Sequence, residues 1–264
     1  MNKVKVACVL PHTNPGYESR ARSQWLAAQL ALADARAKAS LPVDVELVDE
    51  DYGYVQARTA NIARPLAADP VIVAVVGPPS TEMVVVAGPI YHESGLAHIA
   101  TAATNTSLSR NGWRTFFRMV ATDAQHCEDV AAFAVRVLGK RRIPIAHDNS
   151  VWGRGLAAGV REAILSAGAA VPAVVETPER ADRDYTEFAA TIAASDPDLI
   201  FFAEHETVAN PLAIAIRKAG VMVPFFGPNA LKPFPHLSTF DYPVEGPYCT
   251  NVFGDAGGSR PSKP

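Results

Sequence analysis

Apolar residues in this chain alternate between short continuous runs and longer stretches where they recur every three or four positions. The runs read as strands and the stretches as helices, because those are the two periods at which side chains share a face. Val4–Leu10, Val43–Val48, Val71–Val76 and Leu96–Ala100 are the first four strands. Val71–Val76 has no polar position, which predicts a central strand. Arg22–Ala39, Val55–Ala68 and Thr81–Glu93 carry helical spacing, with Pro65 expected to end or kink its helix. After a short extended segment at Phe116–Met119, a second series begins. Its helices are expected at Asp123–Leu138, Gly155–Ala167, Tyr185–Ala194 and Val208–Ala219. Its strands are expected at Ile143–His147, Val171–Glu176, Leu199–Ala203 and Val223–Phe226, with Tyr248–Phe253 as one more. Strands joined by helices of this length form right-handed βαβ units on a parallel sheet. The expected fold class is α/β in two lobes, 1–120 and 121–250. From Lys232 the pattern dissolves into Pro and Gly, and 251–264 is expected to return toward a first lobe that lacks some of its covering helices.

Composition narrows the function classes. A formal charge of -3 with a pI near 6.2 leaves no basic patch of the kind nucleic acid requires, so no nucleic-acid partner is expected. The one basic cluster, 138-LGKRR-142, reads as a loop between a helix and a strand. No apolar run is long enough to span a bilayer. The opening MNKVKVACVLPHT enters a strand directly and does not read as a signal peptide. Either the protein stays in the cytoplasm, or a leader was removed and it works in the periplasm or as an extracellular lipid-anchored protein. Cys8, Cys127 and Cys249 have no metal-ligand spacing. Cys8 reads as a small core residue, and a Cys127–Cys249 bridge stays open as an alternative to free thiols.

Three strand-to-helix junctions carry small polar residues: 76-VGPPSTE-82, 99-IATAATNT-106 and 147-HDNSVWGRG-155. In an open parallel sheet that edge is where a ligand binds, because helix N-termini present unpaired N–H groups there. Ser80 is a good N-cap, and with Thr81 it is either pure capping or an anion-accepting pair. The Ala102 carbonyl and the Thr104 hydroxyl are either part of the same polar pocket or an ordinary Ser/Thr-rich loop. Trp152 lies between a strand and a helix, where it covers a ligand or packs locally. His205, flanked by Glu204 and Glu206, is a cap or a ligand contact; Asn229 is a turn residue or a hydrogen-bonding group. There is no G-x-S-x-G elbow, phosphate-binding G-x-x-x-x-G-K-[ST] or H-E-x-x-H, and Gly153-Arg154-Gly155 lacks the third glycine of a dinucleotide fingerprint. No catalytic residue, metal site or cofactor is assigned.

In their order and spacing, these segments resemble the type I periplasmic binding proteins, and most closely the branched-chain amino acid (Leu/Ile/Val) receptors of ABC transporters. The resemblance runs from Val4 to about Phe253 through 76-VGPPSTE-82, 88-GPIYHESGLAHIATAATNTSL-108, 116-FFRMVATDAQ-125, 145-IAHDNSVWGRGLAAGVREAI-164 and 225-FFGPN-229. It implies two Rossmann-like lobes with parallel sheets, joined by a hinge, that close on a small molecule without any reaction. A membrane permease then recognises the closed form. By position, Ser80, Thr81 and Thr104 would hold an amino acid's carboxylate, and the Ala102 carbonyl with Thr104 its ammonium. Trp152 stands where tyrosine is usual, and His205 where a second aromatic is usual.

Asn229 stands where the family has an acid that pairs with the ammonium. An amide hydrogen-bonds an ammonium but cannot neutralise it. Glu204 is the nearby acid that could compensate, but it is expected to point to the opposite side if the strand continues. The expected ligand is therefore a small carboxylate or amide without a free α-amino group, with amino acids kept open. The family pattern also calls for a further stretch that completes lobe one, so the chain reads as truncated, or as completed by pairing with a second copy. The leading function is a solute-binding protein of an ABC import system. A ligand-sensing regulatory module of the same fold and an enzyme on a doubly wound scaffold are the alternatives.

Overall fold

The computed structural model describes residues 3–38, 41–178, 184–231 and 248–250. The chain divides into two compact units, Met1–Val120 and Ala121–Pro264. Each is built on a five-stranded sheet in which every pair is parallel.

The first unit contains β1 (Lys3–Leu10), α1 (Glu18–Ala37), β2 (Asp44–Asp51), α2 (Gln56–Ala68), β3 (Ile72–Val76), α3 (Thr81–Glu93), β4 (Ala97–Ala100) and β5 (Phe116–Arg118). Its strand order is β2-β1-β3-β4-β5. Alternate residues of β1 and β3 serve opposite faces, which is why both strands lack polar positions at their buried ends. Ala7, Val9 and Val75 pack with Met83, Ala87 and Tyr91 of α3 and with Ala63 and Leu66 of α2. Cys8 and Leu10 face the other way, under Ala21, Trp25 and Ala28 of α1. Pro65 does not end α2, which runs on to Ala68. A proline this close to the C-terminus forfeits one backbone bond, while Ala63 and Leu66 on either side of it stay buried in the core.

The second unit contains α4 (Asp123–Ala131), β6 (Ile145–Asp148), α5 (Val151–Ser166), β7 (Val174–Thr177), α6 (Thr186–Ala194), β8 (Ile200–Ala203), α7 (Glu206–Lys218), β9 (Phe225–Gly227) and β10 (Tyr248–Cys249). Its order is β10-β9-β8-β6-β7. Phe201 and Phe226 face the α4–α5 layer, and Phe202 and Phe225 face the α6–α7 layer. The period-2 alternation of 200-IFFA-203 thus feeds two separate cores.

Two expectations need correction, and one open alternative is decided. The α5 helix starts at Val151, four residues ahead of Gly155, so Trp152 lies in its first turn and not in a loop. The helix begins early because Ser150 caps it, its Oγ accepting from the Gly153 N–H at 2.8 Å. The expected helix Asp123–Leu138 is α-helical only to Ala131 and continues as a π-helical turn over Ala132–Val137. All three cysteines are free, and no bridge joins Cys127 to Cys249. Cys127 is buried against Gly159 of α5, whereas the Cys249 thiol donates to the Pro228 carbonyl at 3.0 Å. The expected return of 251–264 to the first lobe, and the end of the Tyr248–Phe253 strand, lie outside the described residues.

Candidate functional site

In the first unit the carboxyl ends of β3 and β4 are level, with Val76 opposite Ile99. The loops that follow them therefore leave side by side, tied by the Gly77 N–H donating to the Ile99 carbonyl at 2.9 Å. Gly77 turns at φ +96, and a Cβ there would collide with the Val9 carbonyl, so the turn requires glycine. Ser80 is the N-cap of α3 by its extended backbone (φ -97, ψ 144), yet its hydroxyl makes no capping bond. Ser80 Oγ is buried without a hydrogen-bond partner, although the Tyr52 hydroxyl lies near it. That hydroxyl too makes no bond of normal geometry; burial, opposed by Ser80, pushes the Tyr52 phenol above its ordinary range. Thr81 is buried in the first helical turn. Helix N-termini leave their first N–H groups without intrahelical acceptors, so α3 offers a dipole and an unspent hydroxyl to an anion.

The second loop brings Ala102, half-buried, and Thr104, buried, to the same edge. Its shape is held from β5. Arg118 donates to the Ala103 carbonyl at 3.1 Å and to the Asn105 carbonyl at 3.0 Å. The Asn105 side chain in turn accepts from the Ser107 N–H at 2.9 Å and starts a short 3₁₀ turn over Thr106–Arg110. Near Ser80 stands a group of tyrosines, with Tyr17 and Tyr54 stacked at 4.6 Å between ring centroids and Tyr52 beside them. Neither Arg118 nor these rings stood out in the sequence, because the tyrosines come from two loops and only the parallel order β2-β1-β3 makes them neighbours.

In the second unit the edge is formed by the ends of β6, β8 and β9. Trp152 is buried in the first turn of α5, and His205 is the N-cap residue of α7. Their rings meet at 4.8 Å between centroids with a 42° tilt. Asn229 begins a 3₁₀ turn, Asn229–Leu231, just past β9 and is half-buried. Two carboxyl groups lie beneath these residues, both wholly buried. Asp148 accepts from the Ser150 N–H at 3.2 Å, from the Ser150 hydroxyl, and from the His205 N–H at 3.1 Å. Glu204 meets the Thr177 hydroxyl at 2.6 Å, on the face that carries Phe202 and Val175. It therefore points away from the Trp152 side, as the strand alternation implied. Burial pushes its carboxyl up to about 8, the Thr177 hydroxyl opposes this, and nearby Asp148 adds to it. The Thr177 hydroxyl also lies 3.1 Å from the His147 carbonyl, which can only accept. The Thr177 hydroxyl thus shares its one proton between Glu204 Oε1 and the His147 carbonyl.

A family model described as periplasmic binding protein matches residues 3–255. An amino acid binding protein of Pseudomonas aeruginosa is 25% identical over 222 residues, covering 84% of this chain and 59% of that protein. The Leu/Ile/Val-binding protein of Escherichia coli is 23% identical over 229 residues, covering 86% and 62%. The chain thus spans about three-fifths of the length of these curated relatives. Among solved structures, a leucine binding protein of Thermotoga maritima superposes with a TM-score of 0.77 at 22% identity, covering 86% of this chain and 64% of that one. A solute binding protein from R. palustris, in complex with 4-hydroxybenzoate, gives a TM-score of 0.78 at 18% identity, covering 90% and 65%. These two likenesses are of fold, and they agree with the paired parallel sheets. With the family model matched over nearly the whole chain, the chain belongs to the periplasmic binding protein family.

Proposed function

We propose that the chain is the ligand-holding part of a solute-binding protein, working outside the cytoplasmic membrane and delivering to an ABC-type permease. Its ligand in this reading is a small carboxylate without an α-ammonium group. The Ser80 hydroxyl, Thr81, Thr104 and the N-terminus of α3 receive the carboxylate. The Trp152 and His205 rings, in tilted contact, take the apolar body, and Asn229 donates or accepts one hydrogen bond.

One observation carries the choice of ligand. The two buried acids at the strand ends of the second unit, Asp148 and Glu204, are already engaged. Asp148 is buried under three donors, while Glu204 is turned to the α6–α7 face and held neutral. Asn229, next along the edge, is uncharged. An ammonium brought beside Asn229 would meet an amide in place of an acid, and desolvating it without a counter-charge is costly. The 4-hydroxybenzoate complex of the R. palustris relative supports an aromatic carboxylate as a member of this class.

Thermal melting of the 264-residue chain against 4-hydroxybenzoate, 4-methylpentanoate and leucine tests the reading, because a ligand that binds only the native state raises its stability. A rise with the two carboxylates that exceeds the rise with leucine is expected. A rise with leucine alone would reject the ligand class. Cooperative melting with no rise for any of the three would reject the binding role assigned to these residues.

A further inference from the structure

Asp148 has a buried carboxylate that no role above requires. It is wholly enclosed, and no lysine, arginine or histidine side chain pairs with it among the described residues. Its charge is met by three donors, all at helix starts. Ser150, which bonds Oδ1 through both its N–H and its hydroxyl, is the N-cap of α5. His205, whose N–H bonds Oδ2 at 3.1 Å, is the N-cap of α7. The carboxylate thus sits between two helix N-termini, where the dipoles favour an anion. In an open parallel sheet this is the place that a ligand's anion would take. The space has no slack. A Cβ on Gly153 would collide with Asp148 Oδ1 and reach the Ala203 carbonyl at 2.8 Å.

We infer that Asp148 is a positioning residue: it fills the second unit's anion site with the protein's own carboxylate, and it ties the Ser150 and His205 turns together so that the Trp152 and His205 rings are held in contact for the ligand. This rests on reading that ring pair as the ligand's apolar contact. Each turn carries one of the two rings, and Asp148 bonds to both turns. Preorganising the pair in this way lowers the ordering cost of binding.

The near-ultraviolet circular dichroism that the chain loses on Trp152→Phe isolates the signal of a rigidly held Trp152. Asp148→Asn keeps the shape but leaves one acceptor oxygen for donors on both turns. It should remove more than half of that signal and raise the Kd for 4-hydroxybenzoate about tenfold, with a cooperative melt retained. Ser150→Ala removes one donor and leaves the His205 bond, so it should produce a smaller loss in both readouts. A folded Asp148→Asn chain with the full Trp152 signal and an unchanged Kd would overturn the inference. If Asp148→Asn does not fold, an unaltered Trp152 signal in Ser150→Ala would overturn it instead. The dichroism needs no ligand, so a parent chain that binds none of the carboxylates defeats the proposed function while the tie between the turns is still decided.

Discussion

Glu204 shows how one side chain changes meaning once its surroundings are known. In the sequence it is an acid beside His205, a natural candidate to replace the charge missing at Asn229. In the fold it is wholly buried, bonded to Thr177, with its second oxygen unpartnered. Its carboxyl is raised from an ordinary 4.5 to about 8, mainly by burial. Between those values the unfolded chain has released the proton and the folded chain keeps it. The stability it contributes is therefore full below pH 4.5 and falls as pH rises toward 8. Glu204→Gln keeps a neutral acceptor for the Thr177 hydroxyl and removes the titration. Its unfolding free energy, followed by melting, should pull ahead of the parent's progressively from pH 4.5 to 8, by roughly 2–4 kcal/mol at the upper end. Parallel melting curves for the two chains across that range would show that Glu204 ionises in the fold. The sequence could give the direction of this side chain from strand alternation. It could not give Thr177, which is supplied by a strand on the far side of β6.

At the scale of elements, the strands and helices were legible because their apolar periods are clean, and the departures have local causes. The start of α5 was read late because Gly153 and Gly155 look like a loop. The fold uses Gly153 to let the helix pass over Asp148, and Ser150 does the capping. Ser80 gives the opposite case: a residue that reads as a cap leaves its hydroxyl unused by the helix. The 101–105 loop depends on a neighbour that the sequence did not single out. Arg118 of β5 holds the carbonyls on either side of Thr104. Arg118→Met keeps the aliphatic stem and removes both bonds, each charge-assisted. Carboxylate binding should weaken about tenfold, roughly 1–2 kcal/mol, with a cooperative melt preserved. Titration of the folded variant with an unchanged Kd would separate Arg118 from the site.

Over the whole molecule, two series of strands and helices produce two units, each with its own sheet and cores on both faces. That repetition was visible in the order of elements. The edge residues were visible one at a time, but what each edge can hold was not, because it depends on which polar groups the fold has already paired. The first unit keeps an unspent hydroxyl at a helix start. The second has engaged Asp148 and Glu204 internally and presents rings and an amide. Ligand choice then turns on Asn229. Isothermal titration of the parent chain and of Asn229→Glu with leucine and with 4-methylpentanoate, its counterpart without the amino group, compares the two cases directly. The parent should bind 4-methylpentanoate at least about tenfold more tightly than leucine, and Asn229→Glu should reverse that order by supplying the missing counter-charge. A parent chain that prefers leucine, with a preference that Asn229→Glu leaves unchanged, would contradict a ligand chosen for lacking an ammonium.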